Sequence, residues 1–353
     1  MANTLQLSTH DKVFLKNLRA IAIFLVVFGH VGGFWFAPPY GSFLLTIVPV
    51  FFFISGAVSF FSYNRSSTIS KYIAKRLIGL LIPYYFACIL VLIFFYIERL
   101  ALPTDASSII KWVTVTPTAE KMPFLFSQVW FLRVLIMVTI ISPIFFTIHK
   151  GNNKNIPKVL LVISALSAIQ HFTNIGRALN IIDGRFYLFM VDSVFFVFGF
   201  YYYTNKSLIT NKLLIINLSI LILSCIVFVK VFRVQASLSF HEYYPDLYYV
   251  LGAFASICIF LLGKNVILAC QKLSFLRRIF DFLHLHTFSI FLLHGLGIYL
   301  VDKFFRCILP AQHNILYGLI MLFLTMLITC LISIPFTKLT LKCQSFLFQL
   351  IKI

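Results

Sequence analysis

Arg19 and His30 break an apolar stretch, LKNLRAIAIFLVVFGH, that spans residues 15–30. Eleven positions separate them, which is about three turns of an α-helix, so both side chains point to one face. His30 then lies roughly 16 Å further along the axis than Arg19. A hydrocarbon core is about 30 Å thick. With Arg19 at one membrane surface, His30 is near mid-depth. A fixed cation at the rim can hold an anionic group, and an imidazole at mid-depth can act as a general base. The competing roles are an interfacial anchor for Arg19 and a hydrogen-bonded core histidine for His30.

Other polar residues in apolar surroundings extend the set. Lys75 and Arg76 open a later apolar run and, with Arg19, form a cradle for an anionic donor, or else belong to ordinary basic flanking charge. Ser55 precedes Gly56; it can donate a hydrogen bond, or the pair can serve close helix packing. Trp130 contacts an acceptor or anchors its helix at the interface. Asp192 orients a histidine or pairs with Arg185. His294 is a second candidate imidazole for catalysis or substrate contact. Between residues 233 and 246, His241, Glu242, Tyr243 and Tyr244 suit either sugar contact or an interfacial aromatic belt. No metal-ligand spacing, Gly-rich phosphate loop or Ser-x-x-Lys stands out, and GxSxG is absent, so neither a metal centre nor a covalent serine mechanism is expected. The cysteines mostly sit inside apolar runs and read as small buried hydrophobes.

These residues need helices in a membrane to position them. The chain has 353 residues, 61% hydrophobic and 11% charged, with a mean hydropathy of +0.98. Soluble domains carry about 25% charge. About ten apolar runs of spanning length are expected, near 15–36, 42–62, 77–97, 128–148, 157–174, 186–203, 213–232, 246–263, 284–302 and 314–336. The first run lacks a small-residue cleavage site and reads as a retained helix. With the N-terminus inside, nineteen of the 29 Lys and Arg fall in cytoplasmic segments. Both termini are then cytoplasmic. The net charge of +19 is accounted for by this bias and does not imply nucleic acid. The expectation is an all-α integral membrane bundle forming one domain over 1–353. The loop 98–127 is the longest on the outer side, with a short surface helix near 109–113.

Four segments in order, LKNLRAIAIFLVVFGH, FFFISGAVSFF, WFLRVLIMVTIISPIFF and HTFSIFLLHGLGIYLV, resemble the membrane-bound acyltransferase 3 family. HEYYPDLYYVLGAF is further similar to its short, single-domain members, which O-acetylate bacterial surface glycans. The resemblance implies a cytosolic acyl-CoA donor as co-substrate, with no permanently bound cofactor, and a glycan or lipid-linked sugar as acceptor. It places the family's motif arginine and histidine at Arg19 and His30. One departure stands out: members carry Arg-x-x-Arg at the third span, where this chain reads Arg76-Leu77-Ile78-Gly79. Lys75 or Arg19 is left to compensate. Longer members add a soluble domain; this chain is expected to complete transfer within the membrane domain or hand the acyl group on. The resulting expectation is a multi-pass O-acetyltransferase of the bacterial inner membrane, using acetyl-CoA to modify a surface polysaccharide or its precursor. The alternatives are a glycolipid flippase and a non-catalytic partner in glycan assembly. Inverted repeats with paired broken helices would favour a flippase, and neither is evident.

Overall fold

The computed structural model describes residues 6–32, 40–100, 102, 105–116, 128–173, 175, 186–241, 244–305 and 315–351. In chain order the helices are α1 (Thr9–Gly32), α2 (Ile47–Arg65), α3 (Ile69–Ile97), α4 (Ala106–Val113), α5 (Trp130–Gly151) and α6 (Asn155–Thr173). They continue with α7 (Phe186–Thr204), α8 (Asn211–Lys230), α9 (Leu247–Leu262), α10 (Lys264–Ala269), α11 (Ser274–Phe305) and α12 (Ile315–Leu350). Short 3₁₀ turns cover Tyr40–Thr46, Leu238–His241 and Cys270–Lys272. The protein is an all-α integral membrane bundle. Among the described residues eight helices are long and apolar enough to cross a membrane. A ninth forms if α9 and the segment Lys264–Lys272, bent by 49°, count as one span. In α6 the apolar stretch Asn155–Gln170 is shorter.

Polar contacts at the helix ends fix the directions. Asp11, at the start of α1, bonds Lys206 just after α7 and Lys264 just after α9. Asn205 pairs with Asn153 at the α5–α6 junction, and Lys16 pairs with Asp281 near the start of α11. These residues share one face. On the opposite face Glu98, after α3, pairs with Lys303 near the end of α11. Tyr187, at the start of α7, donates to the Pro245 carbonyl before α9, at 2.7 Å. The α5–α6 junction and the end of α7 share a face, so α6 must run out and α7 back. If α6 also crosses, it adds one span to this count.

Helix packing rests on small residues and hydroxyls, because lipid supplies no hydrophobic drive between apolar helices. α2 and α7 make the most extensive helix–helix contact. A Cβ on Gly56 would fall 1.8 Å from the Phe196 carbonyl oxygen, and one on Gly199 would fall 2.0 Å from that of Phe53. Only glycine allows this backbone approach. On α12, Thr325, Thr329, Ser333, Thr337 and Thr340 are buried at spacings of three and four, forming one stripe. Thr337 bonds His286 (2.8 Å) and Ser289 (2.6 Å) of α11. α7 is largely buried within the bundle, whereas α8 is almost wholly exposed at its edge.

Candidate active site

The Arg19–His30 face of α1 opens on a cavity of about 970 Å³. Its wall continues along α2 through Val48, Phe51, Ser55, Ser59, Ser62 and Arg65, again at helical spacing. α3 contributes Lys75, Arg76, Gly79 and Leu80; α5 contributes Trp130 and Phe131; α11 contributes His284, Thr287, Phe288 and Phe291. Ser42, Ser237, Ser239 and Gln128 also line it. One space thus joins the cation-rich face of the bundle to His30.

At the cationic end, Arg76 Nη2 donates to Ser59 Oγ at 2.7 Å, while its Nε is buried with no partner among the described residues. Arg76 lies close enough to both Arg19 and Arg65 for their charges to repel. Arg65 is held by its Nε–H, which donates to the Phe61 carbonyl at 3.2 Å. Among the described residues no carboxylate pairs with Arg19, Arg65, Lys75 or Arg76. Cations gathered in a partly desolvated space without counter-charge form a site for an anion, and guanidinium groups suit phosphate oxygens. Gly79, which stands in place of a second arginine, faces open space: a Cβ there would meet nothing within 4 Å. Arg65 enters from α2 as an additional cation. Sequence reasoning misses it, although it continues the spacing that begins at Ser55.

Further along the cavity, His30 Nδ1 lies 2.8 Å from the Val26 carbonyl oxygen. A carbonyl can only accept, so Nδ1 carries the proton and Nε2 keeps its lone pair. The His30 side chain is exposed to the cavity. The His294 ring stands edge-on to it, with centroids 4.9 Å apart. His294 is itself fully buried. Its Nδ1 donates to the Phe291 carbonyl at 2.8 Å, and its Nε2 has no partner among the described residues. Two imidazoles whose Nε2 atoms carry lone pairs therefore stand side by side. His284, ten residues before His294 on the same face of α11, lies near Arg19 and Lys16. Sequence reasoning misses it too; its spacing from His294 is the available signal.

Ser55 and Gly56 have separate jobs: Ser55 faces the cavity, and Gly56 packs against α7. Trp130 is on the cavity wall. Asp192 is not among the residues lining the cavity. It is fully buried in α7 with neither carboxyl oxygen hydrogen-bonded among the described residues, and Arg185 lies outside that set. The short helix α4 forms, capped by Asp105, whereas residues 117–127 of that loop lie outside the described set, as do Glu242 and Tyr243. Tyr244 is exposed, and His241 is engaged with Asp246 at 3.0 Å. No group of three or more metal-ligating side chains occurs among the described residues.

A family model described as an acyltransferase domain matches residues 12–334. The chain belongs to the acyltransferase 3 family. No curated protein and no solved structure matches it. The match takes in the whole of the His30 surroundings, including His294, and leaves the last turns of α12 outside.

Proposed function

We propose that the protein transfers an acetyl group from cytosolic acetyl-CoA to a hydroxyl of a surface polysaccharide or lipid-linked glycan precursor, in the bacterial inner membrane. The observation that carries this reading is one cavity with four cations at one end, none paired with a described carboxylate, and a Nε2 lone pair on His30 further in. The phosphates of the donor dock at Arg19, Arg65, Lys75 and Arg76, and its thioester reaches His30. The acceptor oxygen attacks the thioester carbonyl as His30 Nε2 takes the hydroxyl proton. The new C–O bond forms, the C–S bond breaks, and the leaving thiolate collects the proton from the imidazolium. In a two-step variant Nε2 attacks first and holds the acetyl group. Both routes need the tautomer that the Val26 carbonyl enforces. Holding both substrates in one cavity supplies much of the acceleration. His294, packed against His30, keeps the base in place.

The test is glycan acetylation at matched membrane levels of protein. His30→Ala abolishes it while acetyl-CoA still binds; loss of a general base typically costs about 10²–10⁴-fold in rate. His30→Gln keeps a hydrogen bond but takes no proton at neutral pH, and it is expected to be equally inactive. Near-normal acetylation by His30→Gln would remove His30 from the mechanism.

A further inference from the structure

The last turns of α12 border the cation-lined end of the cavity. α12 has 36 residues, a length of about 54 Å, against a hydrocarbon core of about 30 Å. It is longer than one upright crossing needs, and its C-terminal end lies beside the cations. Gln344 Nε2 donates to the Gly79 carbonyl of α3 at 3.2 Å, and the two helices run in opposite directions. One turn further along α12 is Phe348, and one turn back along α3 is Lys75, so the two sit at one level. Phe348 is on the wall of the same cavity as Lys75, Arg76 and Arg65, and it is half-buried.

We infer that Phe348 is the stacking surface for the purine base of the donor, with Gln344 holding this part of α12 against α3. The inference rests on the acetyl-CoA reading and adds a base subsite to it. A nucleotide-bearing thioester presents a flat aromatic base next to its phosphates. The cluster of cations answers the phosphates, and an aromatic ring at the same level answers the base. Base–aromatic stacking is sequence-tolerant and strong enough to matter: alanine replacement of such a ring weakens binding about tenfold. Gln344 and Phe348 lie beyond residue 334, where the family match stops.

Binding of CoA and of 4′-phosphopantetheine, which lacks the nucleotide, to the purified full-length protein separates the possibilities. Phe348→Ala is expected to weaken CoA binding about tenfold and to leave phosphopantetheine binding unchanged. Phe348→Tyr retains CoA affinity. Arg76→Ala, which removes a phosphate contact, weakens CoA whether or not the ring is present. If Phe348→Ala fails to accumulate, Phe348→Leu preserves apolar bulk without a ring and reads the same difference. Unchanged CoA affinity in the ring-less variant, or equal loss for both ligands, overturns the base subsite and leaves the donor reading standing. Failure of the unsubstituted protein to bind CoA overturns both.

Discussion

His30 and His294 show how much a single carbonyl decides. Each ring donates Nδ1–H to a backbone oxygen on its own helix, so each presents an unprotonated Nε2. A similar argument gives the opposite result for His241. Its Nε2 faces the Gln235 carbonyl at 3.1 Å and its Nδ1 faces Asp246 Oδ2 at 3.0 Å. Both partners accept, so the ring satisfies them together only when protonated. Burial disfavours that charge, but the Asp246 carboxylate and the Gln235 carbonyl outweigh it and raise the pKa above 6.5. The folded-state pKa exceeds the unfolded one, so this contribution is complete below about pH 6.5 and is lost as pH rises through the folded value. Asp246 also caps α9, accepting from the Tyr249 N–H. The thermal midpoint of the wild type should therefore exceed that of His241→Gln at acidic pH, with the gap closing as pH rises. A gap that stays constant between about pH 5 and about pH 9 would rule out the ion pair as its source.

At the scale of elements, glycines separate packing from site. Gly56 and Gly199 let α2 and α7 touch backbone to backbone, whereas Gly79 borders open cavity. Gly56→Ala places a methyl group against a carbonyl oxygen that cannot move without shifting the helix. It is expected to lower stability by ~1–3 kcal/mol. Gly79→Ala meets no neighbour and gains helix propensity, so its thermal midpoint should match or exceed the wild type. Equal destabilisation by the two would show that the α2–α7 approach is looser than described. The same close contact leaves another face of α2, with Ser55, Ser59, Ser62 and Arg65, on the cavity. Packing on one side of the helix thereby sets the chemistry on the other.

For the whole molecule the issue is direction. The chain crosses three times between α4 and the end of α7 if α6 spans, and twice if it does not. Reporter fusions after Lys111 and after Tyr203 distinguish these cases: signals from opposite sides are expected, with Lys111 outside and Tyr203 in the cytoplasm. The basic residues gathered on the face that holds Asp11, Lys206 and Lys264 set that orientation. Same-side signals would take α6 out of the membrane, and reversed signals would turn the cation-lined end of the cavity away from the cytosol.

Composition and the period of a single helix suffice for the class, the order of the apolar runs and the shared face of Arg19 and His30, because all three are local properties. They do not say which face of α2, α3, α7 or α11 turns inward. In a membrane the packed side and the lipid side are both apolar, so hydrophobic periodicity, which orients a helix in a soluble protein, carries little information. That is why Asp192 reads as a site residue yet lies off the cavity wall, and why Arg65 and His284 escape sequence reasoning. Helix packing alone brings His294 against His30 and gathers cations from three helices into one space. Those positions are set by glycine contacts and polar ties between helices far apart in the chain.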